Sequence, residues 1–142
     1  MANNGFEFQL EDIRLISVHF DINQSFKEGK DVHMAINLTM QHEFPKPDLL
    51  RLIVSVDVKG EDAPISINAS IGSLFRFKTK PDSVEEISKI AEIHGAAITF
   101  PFLREVIADI TRRAGLPPLM LQPINFVEFY KNNHPDISEL VQ

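Results

Sequence analysis

After Gly115 the chain runs Leu116-Pro117-Pro118-Leu119-Met120-Leu121-Gln122-Pro123, and no regular helix can form there. Proline has no amide N–H and clashes with the turn before it. The stretch is nonetheless apolar, so it must lie extended against another part of the protein. The segment before it reads as an amphipathic helix. Pro101 suits a helix start, where its fixed φ is useful and its missing N–H does no harm. Leu103, Val106, Ile107, Ile110 and Ala114 then recur at three- and four-residue steps. Arg112 and Arg113 fall in the last turn, at the negative end of the helix dipole. Gly115 is placed to end the helix in a left-handed conformation.

The first half of the chain has a different period. Val32, Met34, Ile36, Leu38 and Met40 alternate with polar or small residues. Leu50, Leu52, Val54, Val56 and Val58 repeat the pattern, as do Ile65, Ile67, Ala69 and Ile71, with Phe75 and Phe77 on the same face. A period of two is a strand with one buried side. The N-terminal segment changes phase twice. Phe6, Phe8 and Leu10 are even, Ile13 and Leu15 odd, and Val18, Phe20 and Ile22 even again. Two phase changes in one strand predict bulges. The connections 23–30, 43–48 (with Pro45 and Pro47) and 59–64 carry turn residues and are short, which favours antiparallel neighbours.

Helical signals return at Asp82 or Ser83, either of which can cap a helix with Glu85 or Glu86 nearby. Ile87, Ile90 and Ala91 give that helix an apolar side, and Gly95 is placed to end it. A short helix is expected near residues 125–132 and a polar tail over 134–142. The expectation is one α+β domain over residues 1–142: a four-stranded antiparallel sheet from strands at about 5–79, then helices at about 82–132 packed on one face.

Composition excludes several classes. The chain has 142 residues, a net charge of −6 and no cysteine. An acidic balance argues against phosphate-neutralising nucleic-acid binding, and no thiolate metal site or disulfide framework can form. No apolar run approaches the ~20 residues that span a bilayer. The opening Met1-Ala2-Asn3-Asn4-Gly5 is unlike a secretory leader, so a soluble cytoplasmic protein is expected. The five histidines have no metal-ligand spacing, and nucleophile elbows, phosphate loops and dinucleotide fingerprints are absent. No catalytic residue, metal or cofactor is therefore expected, and the chain does not read as an enzyme.

The succession Phe100-Pro101-Phe102, Arg104-Glu105, a helix, Gly115, Pro118-Leu119, Leu121 and Pro123-Ile124-Asn125-Phe126 resembles the SecB family of bacterial protein-export chaperones. Phe8-Gln9-Leu10 and Phe20-Asp21 resemble that family's first strand. The resemblance covers nearly the whole chain and is strongest in its C-terminal third. It implies a homotetramer: two four-stranded sheets join in a dimer, and two dimers sandwich their long helices. It also implies an ATP-independent holdase that binds unfolded precursor proteins in extended form, keeps them translocation-competent and delivers them to the motor SecA. Of the acidic positions expected for SecA docking, Asp21 is retained, while Ser17 and Asn68 stand at two others. A SecB-like chaperone dedicated to another client, such as an antitoxin, is the alternative. A small α+β enzyme or a purely structural subunit stands further off.

Two surfaces carry these expectations. Phe102, Leu103, Val106, Ile107 and Ile110 make the main helix apolar over a wide arc, and Ile65, Ile67, Ala69 and Ile71 line one strand face. Either a single domain wraps them or they meet other subunits, as the resemblance implies. Leu116, Leu119, Met120, Leu121, Phe126, Phe129 and Tyr130 either pack on the sheet or form one wall of a client groove. By the resemblance, Phe26, on the loop after the first strand, belongs to that groove.

Overall fold

The computed structural model describes residues 7–24, 33–61 and 63–134. Four strands, β1 (Phe8–Ile22), β2 (Ala35–Lys46), β3 (Leu49–Lys59) and β4 (Ile65–Phe77), form one antiparallel sheet in the order β1-β4-β3-β2. The three later strands are joined by short turns. β1 does not pair with β2, although the two are sequence neighbours. It crosses the sheet to lie beside β4 in a Greek-key arrangement.

The two phase changes in β1 are bulges. Its register with β4 shifts between Leu10 and Asp12 and again between Leu15 and Ser17. The extra residues, Glu11 and Ile16, switch the inward set from even to odd and back. Ile13 therefore faces inward opposite Ser73, and Val18 opposite Ala69. β2 continues further than its prolines suggest. It passes through Pro45 to Lys46, with an irregular register after Glu43, and the turn is confined to Pro47 and Asp48. Proline is tolerated there because Pro45 falls in the irregular stretch between Glu43 and Lys46 of an edge strand, where it has no ladder partner on β3.

The outer face of the sheet is largely polar, apart from Ile16, Ile53 and Leu74. Ser17, Ser70, Ser55 and Thr39 form one row across it, with the Ser55 and Ser70 hydroxyls 2.6 Å apart. Arg76 bridges Asp48 at 2.6 Å and Glu11 of the first bulge, tying β1 to the β2–β3 turn.

The inner face carries the helices α1 (Val84–Lys89), α2 (Ala96–Arg113) and α3 (Phe126–Asn133). Ser83 caps α1, its hydroxyl accepting from the Glu86 N–H. Neither Gly95 nor Pro101 marks a helix boundary. A π-wound stretch, Ile90–Gly95, joins α1 to α2, and the backbone stays helical from Val84 to Arg113. Gly95 is needed for close approach: a Cβ there would sit 3.1 Å from Leu52 Cδ2 and 3.4 Å from Phe75 Cε2. Thr99 donates its hydroxyl to the Gly95 carbonyl at 2.8 Å, so the buried Ser73 hydroxyl, 2.9 Å away, donates to Thr99. This pair pins the helix to β4. Pro101 lies within α2 and denies Ala97 its carbonyl partner. Both residues are exposed, so water can serve that carbonyl.

The core forms where β3 and β4 meet the helices: Leu50, Leu52, Val54, Phe75, Leu103 and Ile107 are among its fully buried members. The helical layer is narrower than the sheet. Inward-facing Leu15, Val18 and Ile22 on β1, and Ile36 on β2, stay exposed at the two edges.

Candidate functional site

The site begins where α2 ends. Gly115 adopts φ 82°, a left-handed conformation natural only to glycine. Its N–H bonds to the Arg112 carbonyl at 3.0 Å, and the Leu116 N–H reaches back to the Thr111 carbonyl at 3.1 Å. This is a Schellman closure. It turns the Pro/Leu segment back along the helix, where the Leu119 N–H donates to the buried Thr111 hydroxyl at 2.9 Å. Asp109 pairs with Arg112 and Arg113, and chiefly the Arg113 hydrogen bond holds its carboxyl below the usual range.

The segment then runs extended to Asn125, whose side chain accepts from the Val127 and Glu128 N–H groups and so starts α3. Phe126 docks edge-on against Phe100 of α2, with ring centres 5.7 Å apart. Between this segment and the edge strand β2 lies a cleft of about 230 Å³, lined by Ile36, Leu38, Val56, Phe100 and residues 121–124. Gln122 is the one polar side chain in that lining. Ile36 is 50% exposed at its rim. Beyond the cleft, α3 packs on the π-wound stretch. Tyr130 is buried there, and burial, followed by Glu92 and Glu85, pushes its phenol pKa up.

The residues expected to form a groove divide into three groups. Leu121 lines the cleft, and Phe126 and Tyr130 are buried anchors of α3. Leu116, Leu119 and Phe129 are half-buried, and Met120 is 59% exposed. Phe26 and its loop lie outside the described residues. Ile36, Leu38, Phe100, Pro123 and Ile124 were not expected to act together. Their separate signals were a strand face and a proline motif, and only the tertiary fold joins them.

The expected interface set divides too. Ile65, Ile67, Ala69, Ile71, Leu103 and Ile107 are covered within the chain itself, so they are core residues and not a free surface. Phe102 is 42% exposed, with Ile98 one turn before it also exposed, and Val106 and Ile110 are half-buried. These four form an i, i+4 ridge along the outer flank of α2. Asp21 is exposed on the outer sheet face opposite Ser66; Asn68 and Ser17 lie on the same face, Asn68 opposite His19 and Ser17 opposite Ser70. Among the described residues no group of side chains could hold a metal ion, and no helix is long and apolar enough to cross a membrane.

The family model described as "Preprotein translocase subunit SecB" matches residues 5–136. The chain belongs to the SecB family. A protein-export protein SecB from Acidithiobacillus ferrooxidans is 36% identical over 125 residues, covering 86% of this chain and 83% of that one. One from Paramagnetospirillum magneticum is 49% identical over 47 residues, which span 33% of this chain and only 30% of the relative. Among solved structures, a Mycobacterium tuberculosis SecB-like chaperone in complex with a ChAD peptide from an antitoxin superposes with a TM-score of 0.72. It is 21% identical, and the match covers 82% of this chain and 90% of that one. SecB proteins are chaperones, and membership supports a chaperone role in protein export for this chain.

Proposed function

We propose that this SecB-family chain is a cytoplasmic, ATP-independent holdase that binds unfolded precursor proteins in extended form. One observation carries the reading: an apolar cleft remains between Ile36 of β2 and the Leu121–Ile124 wall after the core is filled. A greasy trough at a strand edge suits an extended client whose alternate side chains enter it. Burial supplies the affinity. Each client Leu or Phe contributes about 1.5–3 kcal/mol, while ordering each client residue costs about 1–2 kcal/mol. One anchor nearly breaks even, so useful retention requires several clefts on one particle. We propose a homotetramer, a dimer of dimers, for that reason. The ridge Ile98-Phe102-Val106-Ile110 and the uncovered β1 strip Leu15-Val18-Ile22 are the apolar surfaces such an assembly would cover.

The reading is tested by adding the protein at equal subunit concentration to a denatured, slow-folding protein. Refolding should be delayed, and Ile36→Glu should abolish the delay while the variant stays folded. No delay with the wild-type protein would defeat the reading.

Two delivery routes differ in partner. Asp21 would serve docking on SecA from the outer sheet face. The alternative, a chaperone dedicated to an antitoxin, is favoured by the solved relative holding an antitoxin peptide and by the neutral Ser17 and Asn68, which stand where acidic residues are expected for SecA docking. A SecA pull-down, repeated with Asp21→Asn, separates the two.

A further inference from the structure

α3 is fastened to the π-wound stretch by a group of side chains that the holding role does not itself require. His134, at the C-terminal end of α3, places Nε2 3.2 Å from Glu92 Oε1. Its ring stacks on Tyr130, with centres 4.1 Å apart and an interplanar angle of 26°. Both members of the pair are shielded: the His134 and Glu92 side chains are 27% and 14% exposed. The surface beneath α3 is acidic. Glu85 and Glu92 both act on Tyr130, and one Glu86 carboxylate oxygen and the Tyr130 hydroxyl are buried without a hydrogen-bond partner among the described residues. Lys89 is engaged with Glu85 at 3.1 Å. On α3 itself, Glu128 and Lys131 are exposed. Among the described residues, His134 is the ion-pair partner that Glu92 has.

We propose that His134, Tyr130 and Glu92 form a proton-sensitive latch that fixes α3, and through it the Leu121–Ile124 wall of the cleft, more firmly when the His134 ring is protonated. Histidine is the side chain that ordinarily changes charge between about pH 5 and 8. A neutral ring gives the Glu92 carboxylate a hydrogen bond but no opposite charge. A protonated ring adds that charge, turning the contact into a hydrogen-bonded ion pair, and relieves an acidic surface. The wall is joined directly to α3 through Asn125, so loosening α3 frees the wall. A cleft that is formed only part of the time binds its ligand more weakly by that fraction.

The consequence for client retention rests on the holdase reading; the latch itself does not. Tyr130 is the one tyrosine of a chain without tryptophan, and it stacks on His134, so its fluorescence reports the latch directly. Between about pH 8 and pH 6 the wild-type protein should show a change in tyrosine fluorescence and a roughly two- to fivefold rise in protection of the α3 amides against hydrogen exchange, corrected for intrinsic rates. His134→Gln keeps a neutral hydrogen-bond donor and should flatten both responses; Glu92→Gln should flatten the exchange response. Release of an unfolded client should slow by a similar factor at the lower pH in the wild type only. Protection of α3 that does not vary with pH, or that varies equally in His134→Gln, overturns the latch. Absence of client binding at every pH defeats the holdase reading instead, and the exchange data still decide the latch.

Discussion

The Thr111 hydroxyl accepts the Leu119 N–H at 2.9 Å, across the Schellman turn that closes α2. The same residue's carbonyl receives the Leu116 N–H. Thr111 thus anchors both ends of the first half of the Pro/Leu segment, and Pro117 and Pro118 between those anchors keep it extended.

Thr111→Val keeps the shape and removes the acceptor. Leaving a shielded N–H unpaired should cost about 1–2 kcal/mol of stability, read by chemical denaturation. Client binding should weaken with it, since the segment continues into the cleft wall. Thr111→Ser, which retains the hydroxyl, should keep most of the binding.

Phe102→Glu tests assembly. Phe102 is already 42% exposed in the isolated chain, so a charge there should leave the circular dichroism spectrum unchanged. It should nevertheless lower the particle mass seen by light scattering, because a carboxylate cannot be buried unpaired between subunits. The same substitution at Ile67 would be uninformative. Ile67 is 1% exposed in its own subunit, and a charge there would unfold the chain.

Gly95→Ala should destabilise the protein. Alanine is the better helix former by up to about 1 kcal/mol. Its methyl group would press on Leu52 and Phe75, both fully buried and held by the sheet. Overpacking of this kind costs about 1–3 kcal/mol. A net loss near 1 kcal/mol in urea unfolding is expected, and a gain would show that the helix can move off the sheet.

Acid should weaken the fold in a defined way. Hydrogen bonding to Arg76 holds the Glu11 carboxyl below its ordinary range, and hydrogen bonding to Arg113 does the same for Asp109. As pH falls, the unfolded chain takes up these protons before the folded one does. The stabilisation is therefore present above the ordinary carboxylate range and is lost as pH drops through the lowered folded values. Arg76→Gln should reduce the slope of unfolding free energy against pH in the acid limb.

Much of this fold could be read from residue spacing, because a period of two reports a half-buried strand directly. The even–odd–even switch in β1 located both bulges to within a residue. Gly95 and Pro101 misled for a shared reason. Each has a local propensity to interrupt a helix, but tertiary contact decided the outcome: Gly95 is glycine for the sake of Leu52 and Phe75, and Pro101 sits on the solvent side. The β1–β4 pairing was hidden because adjacency in sequence favours hairpins. The cleft was half legible. Leu121 was expected in one wall, but nothing local joins it to Ile36, Phe100, Pro123 and Ile124. The apolar arc of α2 did not disclose which members would be covered by the chain's own sheet.

The central claim is that clients lie in the cleft between Ile36 and the Leu121–Ile124 wall. A photo-crosslinking amino acid at Ile36 tests this most directly, with Thr39 on the opposite sheet face as control. Unfolded client should crosslink at position 36 and be displaced by excess unlabelled client, with little labelling at 39. Equal labelling at the two positions, or none at 36, would contradict the account.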